Sequence, residues 1–171
     1  MLMKNWVAIA DVVAPADTLV VMIEAAAGLA GFAGIVATLR REKWTELDSL
    51  QIKNLLSCAF SALFVSILAL VLIHAEIDEQ TIWITLSAVW LLAGSFATLR
   101  NALDYRKLSK STGGPFPSRN NLFWFTTVIG VLALQVYNMV ALAAFWPVLI
   151  GLTWLFGLTC FSFWQLLIRH K

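Results

Sequence analysis

Glu24 is the residue of this sequence whose type and position most strongly suggest chemistry. It lies inside an apolar stretch, 17–39, seven residues beyond Asp17 at the edge of that stretch. If the stretch is a helix that crosses a membrane, Glu24 lies about 10 Å below the edge, because a helix rises 1.5 Å per residue. A carboxyl group among hydrocarbon costs several kcal/mol, so such residues usually face a bundle interior, a partner or a water-filled cavity.

Other catalytic or metal-binding arrangements have little support. Cys58 and Cys160 lie in apolar runs, whereas His74 and His170 lie at the ends of such runs, so no thiol has a neighbouring base or a metal-ligand spacing. The carboxylates of 76–79 suit a solvated acidic turn better than a catalytic pair, and a weak divalent-cation contact is the alternative there. We therefore predict no enzymatic activity, no metal or other cofactor, and no nucleic-acid partner.

The composition indicates a membrane protein. Of the 171 residues, 60% are hydrophobic and 13% are charged, whereas soluble domains contain about 25% charged residues. A hydrocarbon core about 30 Å thick takes roughly 20 helical residues to cross. The sequence predicts an all-α, polytopic membrane helix bundle in which 1–171 form a single membrane domain. Its five transmembrane helices are predicted at 17–39, 50–74, 80–100, 121–142 and 146–168.

Local signals mark the ends of these helices. Thr45 with Asp48 resembles a capping box before the second helix, and Asp78 can cap the third. Pro147 suits the first turn of a helix, so the long apolar run after Asn121 is predicted to break just before it.

The basic residues predict the orientation, because Lys and Arg near helix ends are retained on the cytoplasmic side. Eleven of the twelve basic residues fall in or near the first loop, the third loop, 101–120, and the C-terminal tail, and only Lys4 falls on the opposite side. We predict an N-terminus outside and a C-terminus in the cytoplasm, in a bacterial cytoplasmic (inner) membrane. The basic loop 101–120 either simply determines this topology or also contacts anionic lipid headgroups or an acidic partner.

Small residues share the helical face of Glu24, at steps of three or four along the first helix: Ala27, Gly28, Gly31 and Gly34. Such a stripe lets another backbone approach closely, so these residues are predicted to pack against a helix. A glycine stripe with an acid resembles the proton-carrying helix of rotary ATPase rings, but the five-helix topology departs from that family and its function is not carried over. In the lipid bilayer, the stripe predicts a homo-oligomer or contact with other membrane subunits.

Counting residues from the helix ends gives the depth of each side chain in the membrane. This count places one polar side chain from each of the other four helices near the level of Glu24: Ser66, Ser87, Gln135 and Thr153. Asn138, one turn beyond Gln135 on the same face, extends this layer. In a structural interpretation, a protonated Glu24 donates a hydrogen bond to Gln135 or to a carbonyl group and joins two helices.

Two other interpretations of the layer involve a ligand. In a transport interpretation, the layer lines a hydrated path in which Glu24 binds a cation or relays a proton. In a binding interpretation, the layer lies at one end of a cavity that holds a lipid or a small hydrophobic ligand, and Trp90 and Trp154 form the walls of this cavity.

Two functions are consistent with these features. One is an oligomeric channel-like or transport protein with Glu24 at its functional level. The other is a non-catalytic accessory or assembly subunit of a larger membrane complex.

Overall fold

The structure, a computed structural model, describes residues 15–39, 45–112 and 119–168, and within these ranges it contains helices and no strands. The helices are α1 (Pro15–Leu39), α2 (Glu46–His74), α3 (Glu79–Thr112), α4 (Arg119–Tyr137) and α5 (Phe145–Ile168). A π-helical turn, Asn138–Leu142, extends α4. All five helices, α4 together with its π-helical turn, are long and apolar enough to cross a membrane. The predicted all-helical architecture, with five helices long and apolar enough to span a membrane, is therefore confirmed.

Side chains cap the starts of α2 and α3. The Thr45 hydroxyl accepts a hydrogen bond from the Asp48 N–H at 3.2 Å, and the Asp48 carboxylate accepts one from the Thr45 N–H at 3.0 Å. This capping box satisfies two backbone donors at once. At the start of α3, the Asp78 carboxylate accepts a hydrogen bond from the Thr81 N–H at 3.2 Å. Both predicted caps are confirmed.

The helix α3 is longer than the predicted span of 80–100. It continues to Thr112, so 101–112, which we predicted as part of a loop, are helical. The segment contains no Gly or Pro until Gly113, which explains why the helix does not end earlier. The 34 residues of α3 measure about 51 Å, which is longer than the thickness of a hydrocarbon core, about 30 Å. The rest of the predicted loop, 113–118, lies outside the described residues.

The break between α4 and α5 falls at Ala143 and Ala144, as predicted, and Pro147 lies in the first turn of α5. Ala143 has φ 46° and ψ 49°, in the left-handed region. Its N–H donates a hydrogen bond to the Asn138 carbonyl oxygen at 2.8 Å. A left-handed conformation costs a non-glycine residue about 1 to 2 kcal/mol, so other contacts must hold this turn in place.

The helix α2 lies at the centre of the bundle and packs against α1, α3 and α5, while α4 packs against α3 and α5. The main core contains Leu19, Ala26, Cys58, Ala62, Val65, Ala69, Ile82, Trp83, Leu86, Trp90, Val131, Val148, Leu152 and Leu155. A smaller cluster joins Ala33 of α1 to Ile52 and Leu55 of α2.

The two ends of the bundle differ in charge. Every Lys and Arg of the described residues lies at one end, here called the basic end: Lys53, Arg100, Arg106, Lys107, Lys110 and Arg119. At this end the Lys53 ammonium lies 3.1 Å from the Asp104 carboxylate, which joins α2 to the extension of α3. The opposite end, here called the acidic end, carries Asp17 and the carboxylates of 76–79.

Candidate functional site

Glu24 lies on the face of α1 that points away from the other helices. The buried residues of α1 are Leu19, Ala26 and Ala33, which repeat every seven residues and face α2. Glu24 follows Leu19 by five residues, which places it about 140° around the helix from that buried face. Its side chain is exposed, and it has no hydrogen bond or ion pair with any described residue. The carboxyl group therefore lacks a partner within the described part of the chain.

The small residues beside Glu24 are also uncovered. Ala27, Gly28 and Gly31 are exposed and Gly34 is half-buried. A Cβ atom added at any of these three glycines would meet nothing within 4 Å. The contact of α1 with α2 uses Ala26 and Ala33 instead, so no other helix of the described part of the chain covers this stripe.

Three other residues of the predicted layer come together inside the bundle. Ser87, Gln135 and Asn138 are all completely buried. The Ser87 hydroxyl donates a hydrogen bond to Gln135 Oε1 at 3.0 Å and accepts one from Asn138 Nδ2 at 2.8 Å. This cluster joins α3 to the end of α4. Its three members all belong to the polar layer that was predicted from depth.

The same cluster holds the turn between α4 and α5. Asn138 Nδ2 donates a hydrogen bond to the Ala144 carbonyl oxygen at 3.1 Å, and Asn138 Oδ1 accepts one from the Ala144 N–H at 3.0 Å. Gln135 Nε2 donates to the Pro147 carbonyl oxygen at 2.9 Å. These bonds explain how Ala143 is kept in its left-handed conformation, because the residues on both sides of it are fixed.

The remaining residues of the layer do not join the cluster. Thr153 is exposed, and its hydroxyl donates to the Leu149 carbonyl oxygen of its own helix at 2.9 Å. Ser66 is completely buried and has no side-chain partner among the described residues. Both ends of the buried Gln135 amide are bonded elsewhere while Glu24 is exposed, so the expected pairing of Glu24 with Gln135 is not formed within one chain.

A cavity of about 160 Å³ lies between α2, α3, α4 and α5, on the side of the polar cluster that faces the basic end. Trp90 and Trp154, the walls proposed in the binding interpretation, both line it, with ring centroids 6.2 Å apart. The Trp90 ring fits between two glycines, because Cβ atoms at Gly94 and Gly151 would come within 3.0 and 3.1 Å of its atoms.

The end of the cavity nearest the basic end is polar, which the depth count did not reveal. Asn101 Nδ2 donates a hydrogen bond to Asn54 Oδ1 at 2.8 Å, and both residues line the cavity. Gln165, also in the lining, accepts a hydrogen bond from Gln51 Nε2 at 2.8 Å. The available signal was the occurrence of amides just inside the basic ends of three apolar helices.

Within the described residues, no three His, Cys, Asp or Glu side chains come together as a metal site. Comparisons of the chain with known protein families, with curated proteins and with solved structures gave no match. The functional conclusions therefore depend on the geometry of this chain's own residues.

Proposed function

We propose that this protein is a non-catalytic assembly subunit that docks through α1 onto a helix of another membrane subunit. The observation that supports this proposal is the position of Glu24, an exposed carboxyl on the outer face of a helix that is long and apolar enough to cross a membrane. The uncovered small residues around it, Ala27, Gly28 and Gly31, would let a second helix approach closely.

The proposal includes an orientation in the membrane. In a bacterial inner membrane the basic end would face the cytoplasm, because Lys and Arg near helix ends are retained on that side. The N-terminus then lies outside and the C-terminus lies in the cytoplasm. The Lys and Arg residues of the described part of the chain, all at that end, support this orientation. A reporter enzyme that is active only in the cytoplasm should be active when it is fused after Ile168. Activity there of a reporter that works only outside the cytoplasm would contradict the orientation.

The energetic reason for docking is the cost of placing a carboxyl group against lipid. At about 10 Å below the membrane edge, Glu24 would lie roughly 5 Å from the bilayer midplane. An acidic residue near the centre of a membrane helix costs about 2 to 3 kcal/mol on insertion scales. A neighbouring helix that offers a hydrogen-bond donor to Glu24 would recover much of this cost.

Native mass spectrometry and co-purification from native membranes test the proposal. We expect the protein to be recovered with a stoichiometric membrane partner, either a second copy or a different subunit. Gly31→Leu should abolish this association, because the added side chain keeps the backbones apart. Gly157→Leu, at an exposed and equally open glycine of α5, is the matched control and should leave it intact. A monomeric wild type, or equal effects of the two substitutions, would contradict docking through α1.

A transport role is the second candidate, and it depends on the same residue. If copies of the chain meet through α1, their Glu24 carboxyls lie at the interface, where a hydrated path could bind a cation or relay a proton. This function predicts ion or proton flux through the purified protein in liposomes, and loss of that flux in Glu24→Gln without loss of assembly. An assembled protein without flux favours the assembly subunit instead.

A further inference from the structure

The cavity between α2, α3, α4 and α5 is separate from the outer face of α1, since none of the described residues that line it belongs to α1. Its volume of about 160 Å³ is close to that of an engineered apolar cavity of about 150 Å³ that binds benzene. One ring-sized group therefore fits, whereas a complete lipid does not. This comparison limits the size of any occupant.

The walls of the cavity favour a flat ring. Trp90 and Trp154 meet edge to face at one end, and Trp124 and Phe161, with ring centroids 4.7 Å apart, line the side. Aromatic rings attract other rings in stacked or edge-to-face arrangements beyond the gain from burial alone. An aliphatic chain would gain only the burial.

The polar groups of the lining favour an uncharged ligand with oxygen substituents. None of the described residues that line the cavity is charged. The hydrogen bond between Asn54 and Asn101 uses one end of each amide, and the other end of each has no partner among the described residues. The Cα of Asn101 lies about 16 Å along α3 from that of Trp90. The amides of Asn54 and Asn101 can each donate to or accept from a hydroxyl or carbonyl group.

The aromatic end of the cavity has unused donors. The indole N–H groups of Trp90 and Trp154 are buried and have no acceptor among the described residues. Trp90 is only 4% exposed, and buried donors without acceptors are rare in folded proteins. An oxygen atom of a ligand at this end would supply an acceptor that the described side chains do not.

The exposed residues of the lining indicate that the cavity opens between two helices. Ser57 of α2 and Ala93 of α3 are the lining residues with exposed side chains. Toward the basic end, the Asn54–Asn101 hydrogen bond and the Lys53–Asp104 ion pair close the gap between the same two helices. If these helices cross a membrane, a ligand reaches the cavity from the bilayer.

From these observations, we infer that the cavity binds the ring of a neutral, lipid-soluble molecule with oxygen substituents at opposite positions, such as a phenol- or quinone-type ring. The aromatic side chains of the lining hold the ring, and the amides of Asn54 and Asn101 hold its polar end.

The test measures binding of 4-methoxyphenol, which is uncharged at neutral pH and has an oxygen at each end of one ring. The protein in lipid nanodiscs is dialysed to equilibrium against protein-free nanodiscs of the same lipid, so the excess on the protein side is specific binding. We expect saturable binding of one molecule per chain. We also expect binding at least tenfold weaker for 4-ethyltoluene, which has the same shape without oxygens, and for 1-octanol, which has a hydroxyl group but no ring.

Variants locate the binding within the cavity. Ala97→Leu fills the space next to the ring and should weaken binding at least tenfold, whereas Ala133→Leu, at an exposed position of α4, should not change it. Ser61→Leu introduces the same block from α2 and replaces Ala97→Leu if that variant fails to fold. Asn101→Leu should remove the preference for 4-methoxyphenol over 4-ethyltoluene. The absence of saturable binding, equal binding of 4-ethyltoluene or 1-octanol, or an unchanged affinity in the filled cavity would each overturn the inference.

Discussion

Replacing Asn138 with alanine should destabilise this protein more than any other substitution in the buried polar cluster. The Asn138 amide forms three hydrogen bonds: one with the Ser87 hydroxyl and two with the backbone of Ala144. Hydrogen bonds between membrane helices contribute about 0.6 kcal/mol on average and up to about 1.7. The loss of three therefore predicts a decrease of about 2 to 5 kcal/mol in the free energy of unfolding. The left-handed Ala143 also loses the contacts that hold it.

Two variants set the scale for this prediction. Ser87→Ala removes two hydrogen bonds of the same cluster and should cost about 1 to 3 kcal/mol. Thr153→Ala removes a hydroxyl that is exposed and bonds only to its own helix, so it should change the stability by less than about 0.5 kcal/mol. Unfolding in mixed micelles by SDS titration measures all three. If Asn138→Ala were as stable as Thr153→Ala, the cluster would not hold the α4–α5 turn and the reasoning would be refuted.

Four further substitutions, one of them a control, probe local geometry, each measured by the same titration unless stated. Ala143→Gly should raise the stability by about 0.5 to 1 kcal/mol, because glycine adopts positive φ without the penalty that alanine has there; a loss of stability would mean that this backbone is not strained. Gly151→Ala places a methyl group 3.1 Å from the Trp90 indole and should lower the free energy of unfolding by about 1 to 3 kcal/mol. In the control, Gly157→Ala, the added methyl group meets nothing within 4 Å, so this substitution should be neutral or slightly stabilising. Thr45→Ala removes the cap of α2 and should increase amide hydrogen exchange in its first turn, corresponding to about 1 kcal/mol; unchanged exchange would show that the cap contributes nothing.

The five spans and the break before Pro147 could be predicted because each depends on local sequence. A run of about 20 apolar residues predicts a membrane-spanning helix whatever lies around it. The polar cluster was also accessible in part, since Gln135 and Asn138 are about one helical turn apart and Ser87 falls at the same depth. The partner of each amide could not be read from the sequence, because it depends on how α3, α4 and α5 pack.

The sequence could not predict which way the Glu24 side chain faces, and the reason is physical. Depth along a helix follows from counting residues, but the direction that a side chain faces follows from which side of the helix packs. The helix α1 is apolar on nearly all sides, so no polar face indicates its buried side. Contacts of Ala26 and Ala33 with α2 decide it. The cavity was hidden similarly, because it depends on the Trp90 ring lying between glycines of two different helices, Gly94 and Gly151.

The packing of α2 against α5 affects how the chain matures during synthesis. The helix α5 is made after α2, yet it covers α2 in the core and binds Gln51 through Gln165. Until α5 is in place, the Gln51 and Gln135 amides lack partners that they have in the finished bundle, which is costly against lipid. The final packing of these amides therefore follows the synthesis of α5. A chain that stops after α4 would lack these contacts with α5, and proteases that act on incompletely packed proteins would be expected to degrade it.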